Sequence, residues 1–326
     1  MKRVALLMLL SVFIGTVYFE VRPIKQHTLR VARGVTLDGR DIGGYTEDRL
    51  SELVLVLATE VYRAPLSPKV DPRTGGVVPG LAGREVDVAA TLALCLAAHP
   101  NQAVSFAWRL LLPEPPALDR PIFHGNEAKR QIAFVVNVAW GNEELLEVLD
   151  LFSQYNLTKT FFIVGRWADK FPELVREIER HGHEFGNHAY SDPHLPKLSD
   201  EEIRQEILRT TAAIQRAVGN VPVPFFSPPY NDFNERIVRI AAELGYITVL
   251  SSVDTADWMR PGVERIVKRV LGRVHNGAIV LMHPTEQTPG ALAKLIPAIL
   301  GQGYALVPVS TLLSAVPSED VWEARP

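Results

Sequence analysis

Two hydrophobic periods alternate along the second half of this chain. Segments that are apolar almost throughout, “IAFVVNV” at 132–138, “KTFFIVG” at 159–165, “YITVLSSVD” at 246–254 and “GAIVLMH” at 277–283, are separated by stretches whose apolar residues recur three and four positions apart. The first kind suits strands covered on both faces, the second a helix with one buried stripe. Leu145, Leu146, Leu149 and Phe152 mark one such helix, and others are expected over 172–180, 200–219, 234–243, 263–270 and 291–299. Strand and helix in alternation predict a parallel sheet with helices packed on it, and closure of that sheet into a barrel.

The first hundred residues are patterned differently. “TLRVARGVTLDGRDIGGYTEDRLSELVLVLATEVYRAP” reads as a strand, a glycine-rich turn and a helix, with Thr46 placed to cap the helix and Leu50, Leu53, Val54 and Leu57 at helical spacing. “KVDPRTGGVVPGLAGREVDVAATLALCLAA” repeats the order, with a turn at Gly75 and Gly76, a short strand around Val86 and a helix from Ala89. Together they predict a small α+β module over 25–112. The prolines of “LLPEPPALDRP” break regular structure and make 113–127 a linker, so the α/β domain is expected over 128–326. Ahead of the module, “MKRVALLMLLSVFIGTVYF” places Lys2 and Arg3 before an uncharged apolar run at 4–19, the pattern of an export signal or an uncleaved transmembrane anchor within 1–24. Arg22, Lys25, Arg30 and Arg33 follow that run, so charge alone does not set its orientation.

Charge and cysteine content narrow the chemistry. With 34 Lys and Arg against 37 Asp and Glu, a net charge of −3, there is no electrostatic footprint for a nucleic acid, and none is expected as a partner. The single cysteine, Cys95, lies in an apolar run, which excludes an intrachain disulfide and a cysteine metal cluster. Polar or special residues recur instead where the expected strands stop: Asn137, His188, Ser227, Asp254 and His283. In parallel α/β barrels those C-terminal strand ends carry the active site.

The ordered stretches “FVVNVAWG”, “GHEFGNHAYSDPHL”, “FFSPPY”, “SVDTADW” and “IVLMHP” resemble the five motifs of the polysaccharide deacetylases, the NodB-like carbohydrate esterases that remove acetyl groups from chitin, peptidoglycan and related glycans. The resemblance covers roughly 128–315 and implies a distorted (β/α) barrel of the polysaccharide deacetylase type, behind an N-terminal anchor and a small α+β domain. The glycine turns and helices of 25–112 are similar to a module regarded as peptidoglycan-binding in bacterial cell-wall proteins; a packing domain without a ligand fits the same pattern. “NVAWGNE” behind an anchor is similar to a branch of sporulation-associated deacetylase-like proteins.

The resemblance implies a mechanism whose parts can be sought one by one. In the family a divalent metal held by one Asp and two His binds the acetyl oxygen and a water, a second Asp is the base, a His is the acid, and an Arg holds the base. The base position here is Asn137, whose amide can orient a water but cannot take its proton. The metal-binding Asp position is Val138, or Ala139 if the register slips by one. His188 is kept, the second histidine is replaced by Asp192, and His194 lies two residues beyond. These three are the candidate ligands for a divalent ion, zinc or cobalt.

The arginine position is Ser227, ahead of Pro228, Pro229 and Tyr230, while Asp254, Asp257, Trp258, Leu281 and His283 are retained. Catalytic candidates are therefore His283 as acid, with Asp254 and Asn137. Substrate-binding candidates are Trp140, Pro229, Tyr230, Trp258 and Leu281; the aromatic rings suit the apolar faces of sugars, and core packing is their competing role. Losing base and arginine together is coherent, since a buried Arg beside an amide would be an unpaired charge.

These readings lead to an extracytoplasmic protein, held at the cell membrane by its anchor or secreted if the segment is cleaved, with cell-wall or spore polysaccharide as its partner. It either acts on the N-acetyl groups of a peptidoglycan-type polymer through an altered site, or binds such a glycan without catalysis in wall or spore assembly.

Overall fold

The computed structural model describes residues 29–317. The expected anchor within 1–24 lies outside them, and among the described residues no helix is long and apolar enough to cross a membrane. The chain forms two compact units, one from residues up to Leu57 with Val88–Ala107, the other from Ala58–Asp87 with Trp108 onward. The segment Ala58–Asp87, read from sequence as part of the N-terminal module, thus groups with the α/β unit. Backbone pairing explains this: Gly83–Val86 pairs antiparallel with Trp108–Leu111, and the hairpin of Lys69–Val70 and Val77–Val78 is tied by the Val77 N–H to Pro121 O at 2.9 Å.

In the first unit, Thr36–Leu37 pairs antiparallel with Arg40–Asp41 and parallel with Ala103–Val104. The hairpin turns on Asp38 and Gly39, both at positive φ (43° and 81°), the turn that matches the twist of paired strands. Helix Glu47–Val61, most of which lies in this unit, follows the Thr46 cap, whose hydroxyl accepts the Arg49 N–H at 3.4 Å, and buries Leu50, Val54 and Leu57. Helix Val88–Ala97 buries Thr91 and Cys95. Burial raises the Cys95 thiol pKa, consistent with a packing role.

The second unit is an α/β half-barrel. Its strands are β1 (Gln131–Val138), β2 (Thr160–Ile163), β3 (Glu184–Asn187), β4 (Phe225–Phe226), β5 (Ile247–Thr248), β6 (Val253–Asp254), β7 (Ile279–Met282) and β8 (Ala305–Val307). All pairings are parallel, in the order β5-β4-β3-β2-β1-β7-β6, with β8 also on β1. Among the described residues no ladder joins β5 to β6, so the barrel expected from sequence stays open there. The helices are α1 (Asn142–Gln154), α2 (Gly165–Lys170), α3 (Pro172–Arg180), α4 (Asp200–Val218), α5 (Glu235–Glu243), α6 (Val263–Leu271), α7 (Thr288–Gly301) and α8 (Val309–Leu313). Their starts follow local chemistry: α3 opens on Pro172, α4 on a Ser199–Glu202 capping box, and α5 on Asn234, whose side chain accepts the Ile237 N–H at 3.1 Å.

β1 orients the site. Ile132, Phe134, Val136 and Val138 share a core with Leu145, Val148, Leu149 and Phe152 of α1, whereas Ala133 and Val135 belong to a second core with Phe162, Phe225, Ile279 and Leu281. Burial on both faces is why this strand is apolar throughout. The two-residue period then places Asn137 on the inner face, with Ala133 and Val135.

Candidate functional site

The inner face of β1 ends at Asn137, which is 6% exposed. Its amide nitrogen donates to Nε2 of His188, just past β3, at 3.3 Å. On the other side of that ring, Nδ1–H donates to the Ser227 carbonyl at 2.7 Å. The tautomer follows: the proton is on Nδ1, and the Nε2 lone pair points at the amide of Asn137. Burial pushes the His188 pKa down to about 4, against the opposing pull of the Asp192 carboxylate and the Ser227 carbonyl, so the ring is neutral at neutral pH. The carbonyl oxygen of Asn137 is buried with no hydrogen-bond partner among the described residues.

The turn after His188 is held from beneath. Asn187 is fully buried; its amide donates to Ile207 O (2.7 Å) and the Thr211 hydroxyl (3.0 Å), and its oxygen accepts the Ala189 N–H at 3.0 Å. Glu206 of α4 accepts the Tyr190 and Ser191 N–H groups at 2.8 and 2.7 Å, and the Ser191 hydroxyl at 2.9 Å. Sequence reasoning missed both as positioning groups; Glu206 sits inside a helix pattern that gave no hint of a loop partner. Beyond them Asp192 adopts φ 59°, and Tyr230, also at φ 59°, donates its hydroxyl to the Asp192 carboxylate at 3.1 Å. Partial burial and the neighbouring Asp192 charge raise the Tyr230 pKa. The Tyr230 ring stacks on His194 with centroids 4.6 Å apart.

A second constellation gathers at the ends of β6 and β7. His283 donates Nδ1–H to Asp257 at 2.9 Å, and its backbone N–H reaches the other carboxylate oxygen at 2.7 Å. The Thr288 hydroxyl lies 3.0 Å from that same oxygen, and Asp257 is fully buried. The carboxylate that orients His283, the candidate acid, is therefore Asp257. Asp254, proposed from sequence as a catalytic group, instead closes a turn by accepting the Ala256 N–H at 2.7 Å, and its carbonyl takes Arg269. Trp140 stacks on His283 nearly parallel (11°, centroids 5.7 Å apart). Leu281 is part of the inner core and Pro229 is buried, so both form wall rather than open surface.

The three residues expected as metal ligands do not converge. His188 spends its lone pair on Asn137, Asp192 takes the Tyr230 hydroxyl, and His194, half exposed, faces Asp232 at 2.8 Å. Among the described residues no group of three His, Cys, Asp or Glu side chains could hold a metal ion. Val138 and Ala139, the two candidates for the family's metal-binding Asp position, lie in or against the hydrocarbon core shared with α1. The residues present do not fit the divalent ion that the resemblance implies.

A parallel half-barrel whose strand ends gather a buried histidine, a histidine–aspartate pair and exposed aromatic rings defines a carbohydrate-deacetylase type of protein. Residues 124–249 match the family described as polysaccharide deacetylase, and the chain belongs to that family. It is 33% identical over 195 residues to a peptidoglycan-N-acetylglucosamine deacetylase of Bacillus cereus, covering 58% of this chain and 70% of that protein. It is 40% identical over 193 residues to the uncharacterized protein YlxY of Bacillus subtilis, covering 59% of this chain and 60% of the relative. Among solved structures it resembles a CE4 family pseudoenzyme from Bacillus anthracis, with a TM-score of 0.70 and 32% identity across 82% of this chain and 96% of that one. A mutant of that pseudoenzyme is described as having restored enzymatic activity.

Proposed function

We propose that this chain is a catalytically silent member of its family that binds a peptidoglycan-type aminosugar polymer in the cleft at the strand ends, outside the cytoplasm. The observation that carries the reading is the amide of Asn137 against the lone pair of His188. That contact occupies the histidine with a group that is neither base nor metal. Val138 and Ser227 supply no carboxylate or cation beside it. The likeness to a pseudoenzyme over most of the chain supports the same reading. Glycan as the ligand is supported by relatives described as peptidoglycan and chitooligosaccharide deacetylases, and by the exposed rings of Trp140, Tyr230 and Trp258. The export-type segment at 1–24 motivates the location.

The test is acetate release from acetylated chitooligosaccharide and from peptidoglycan, with Zn²⁺ or Co²⁺ added in turn. The unmodified chain is compared with a variant carrying Asn137→Asp, Val138→Asp, Asp192→His and Ser227→Arg. Release by the variant alone supports the reading; equal release by both overturns it.

A further inference from the structure

Resting on the glycan-binding reading above, we propose that the cleft selects hexosamine units with a free ammonium group over N-acetylated units, so that it reads the product of deacetylation. Donors that border the cleft are engaged within the protein. One Asn137 amide N–H goes to His188, the His188 Nδ1–H to the Ser227 carbonyl, and the Tyr230 hydroxyl to Asp192. One acceptor remains open. The Asn137 carbonyl oxygen lacks a partner but is sealed from solvent, so the acceptor a ligand meets is the half-buried Asp192 carboxylate, which forms no ion pair among the described residues. The Ser227 hydroxyl can serve in either sense.

An acetamido group brings a carbonyl that needs a donor, and its nitrogen carries no charge for Asp192 to meet. An ammonium brings three donors and no acceptor, and matches what is left. The charges agree. Asp192 acts on both His188 and Tyr230 as a negative charge, and His188 is too deeply buried to offset it. Arg166, the cation near enough to act on Tyr230, is exposed and does not pair with Asp192. The exposed rings of Tyr230 and Trp258 add faces that attract a cation as well as a sugar.

Binding of the full chain to a glucosamine hexamer and to an N-acetylglucosamine hexamer, compared by calorimetry at one ionic strength, tests this. The expected result is a preference for the glucosamine hexamer of about fivefold or more, the size of a partly screened ion pair. That preference should disappear in Asp192→Asn, whose folding is checked by circular dichroism, while Trp258→Ala should weaken both ligands alike. Equal binding, or preference for the acetylated hexamer, overturns the inference and leaves the glycan-binding reading intact. Binding of neither hexamer overturns both. Pentalysine binding as tightly as the glucosamine hexamer, with the same dependence on Asp192, overturns the sugar specificity.

Discussion

The neutral, buried His188 makes stability depend on pH in a direction that a single substitution should reverse. Its pKa is about 4 in the folded chain, whereas a free imidazole titrates at about 6.5, so between these values the unfolded chain binds a proton that the folded chain refuses. The sign follows: no penalty above about 6.5, and a growing loss of stability as pH falls toward 4. At about 1.4 kcal/mol per unit the full loss is about 3 kcal/mol. Asn137→Asp removes the amide donor and sets a carboxylate close to Nε2, at the 3.3 Å now spanned by the amide. An opposite charge at that range raises a pKa by about 1–3 units. The histidine should then titrate nearer neutrality, and the acid penalty should shrink by about half or more. Denaturant unfolding of both proteins at several pH values between 4 and 7, with the His188 proton resonance followed by NMR, measures the two effects. His183, held down to about 3 by burial, is common to both proteins and cancels in the difference. Parallel pH profiles, or a His188 resonance in the variant that still titrates near 4, would refute the contact and the tautomer argued from it.

Three further outcomes follow from the same structure. Asp257→Asn leaves the partly buried His283 and the buried Thr288 donors with a poorer acceptor and should cost about 1–3 kcal/mol in chemical denaturation. At Asp71, burial pushes the carboxyl pKa up, but donors from the Arg73 backbone, His124, the Arg73 guanidinium and Thr74 outweigh it and hold the group well below the usual carboxylate range. Its stabilisation is present above the ordinary carboxylate pKa and lost as pH falls below it, so Asp71→Asn should be less stable at neutral pH and flatter in acid, read by thermal denaturation at pH 7 and pH 3. Lys129, whose buried ammonium donates to Thr311, Leu312 and Ser314 carbonyls at 2.9, 2.9 and 2.7 Å, ends α8; Lys129→Met should leave those carbonyls unpaired and cost about 1–3 kcal/mol of stability in denaturant unfolding.

Much of the half-barrel was legible because its strands are buried on both faces and its helices carry strong stripes and caps. The helices expected over 172–180 and 263–270 appear as α3 and α6 within a residue, and Glu143 and Glu144 sit in the first turn of α1, where acids suit a helix start. The stretch 246–254, expected as one strand, is instead the two short ladders β5 and β6; β4 is likewise two residues long, and α2 has too few residues to show a stripe. The motif order located Asn137, His188, Ser227 and His283 at strand ends. It kept both Asp254 and Asp257 and did not say which of them His283 would meet; the structure pairs it with Asp257. Nor could the motif order reveal that Glu206, far along α4, holds the 189–192 turn. The segment Ala58–Asp87 was grouped by sequence proximity, whereas Asp71 finds His124 across 53 residues.

An amide–imidazole hydrogen bond stands where the family resemblance implies a metal ion. The most direct measurement is the metal content of the full chain after incubation with excess Zn²⁺ and removal of free ion. Far less than one ion per chain is expected, with the His188 resonance unchanged by zinc. A stoichiometric ion that shifts that resonance and is lost in His188→Gln would contradict it.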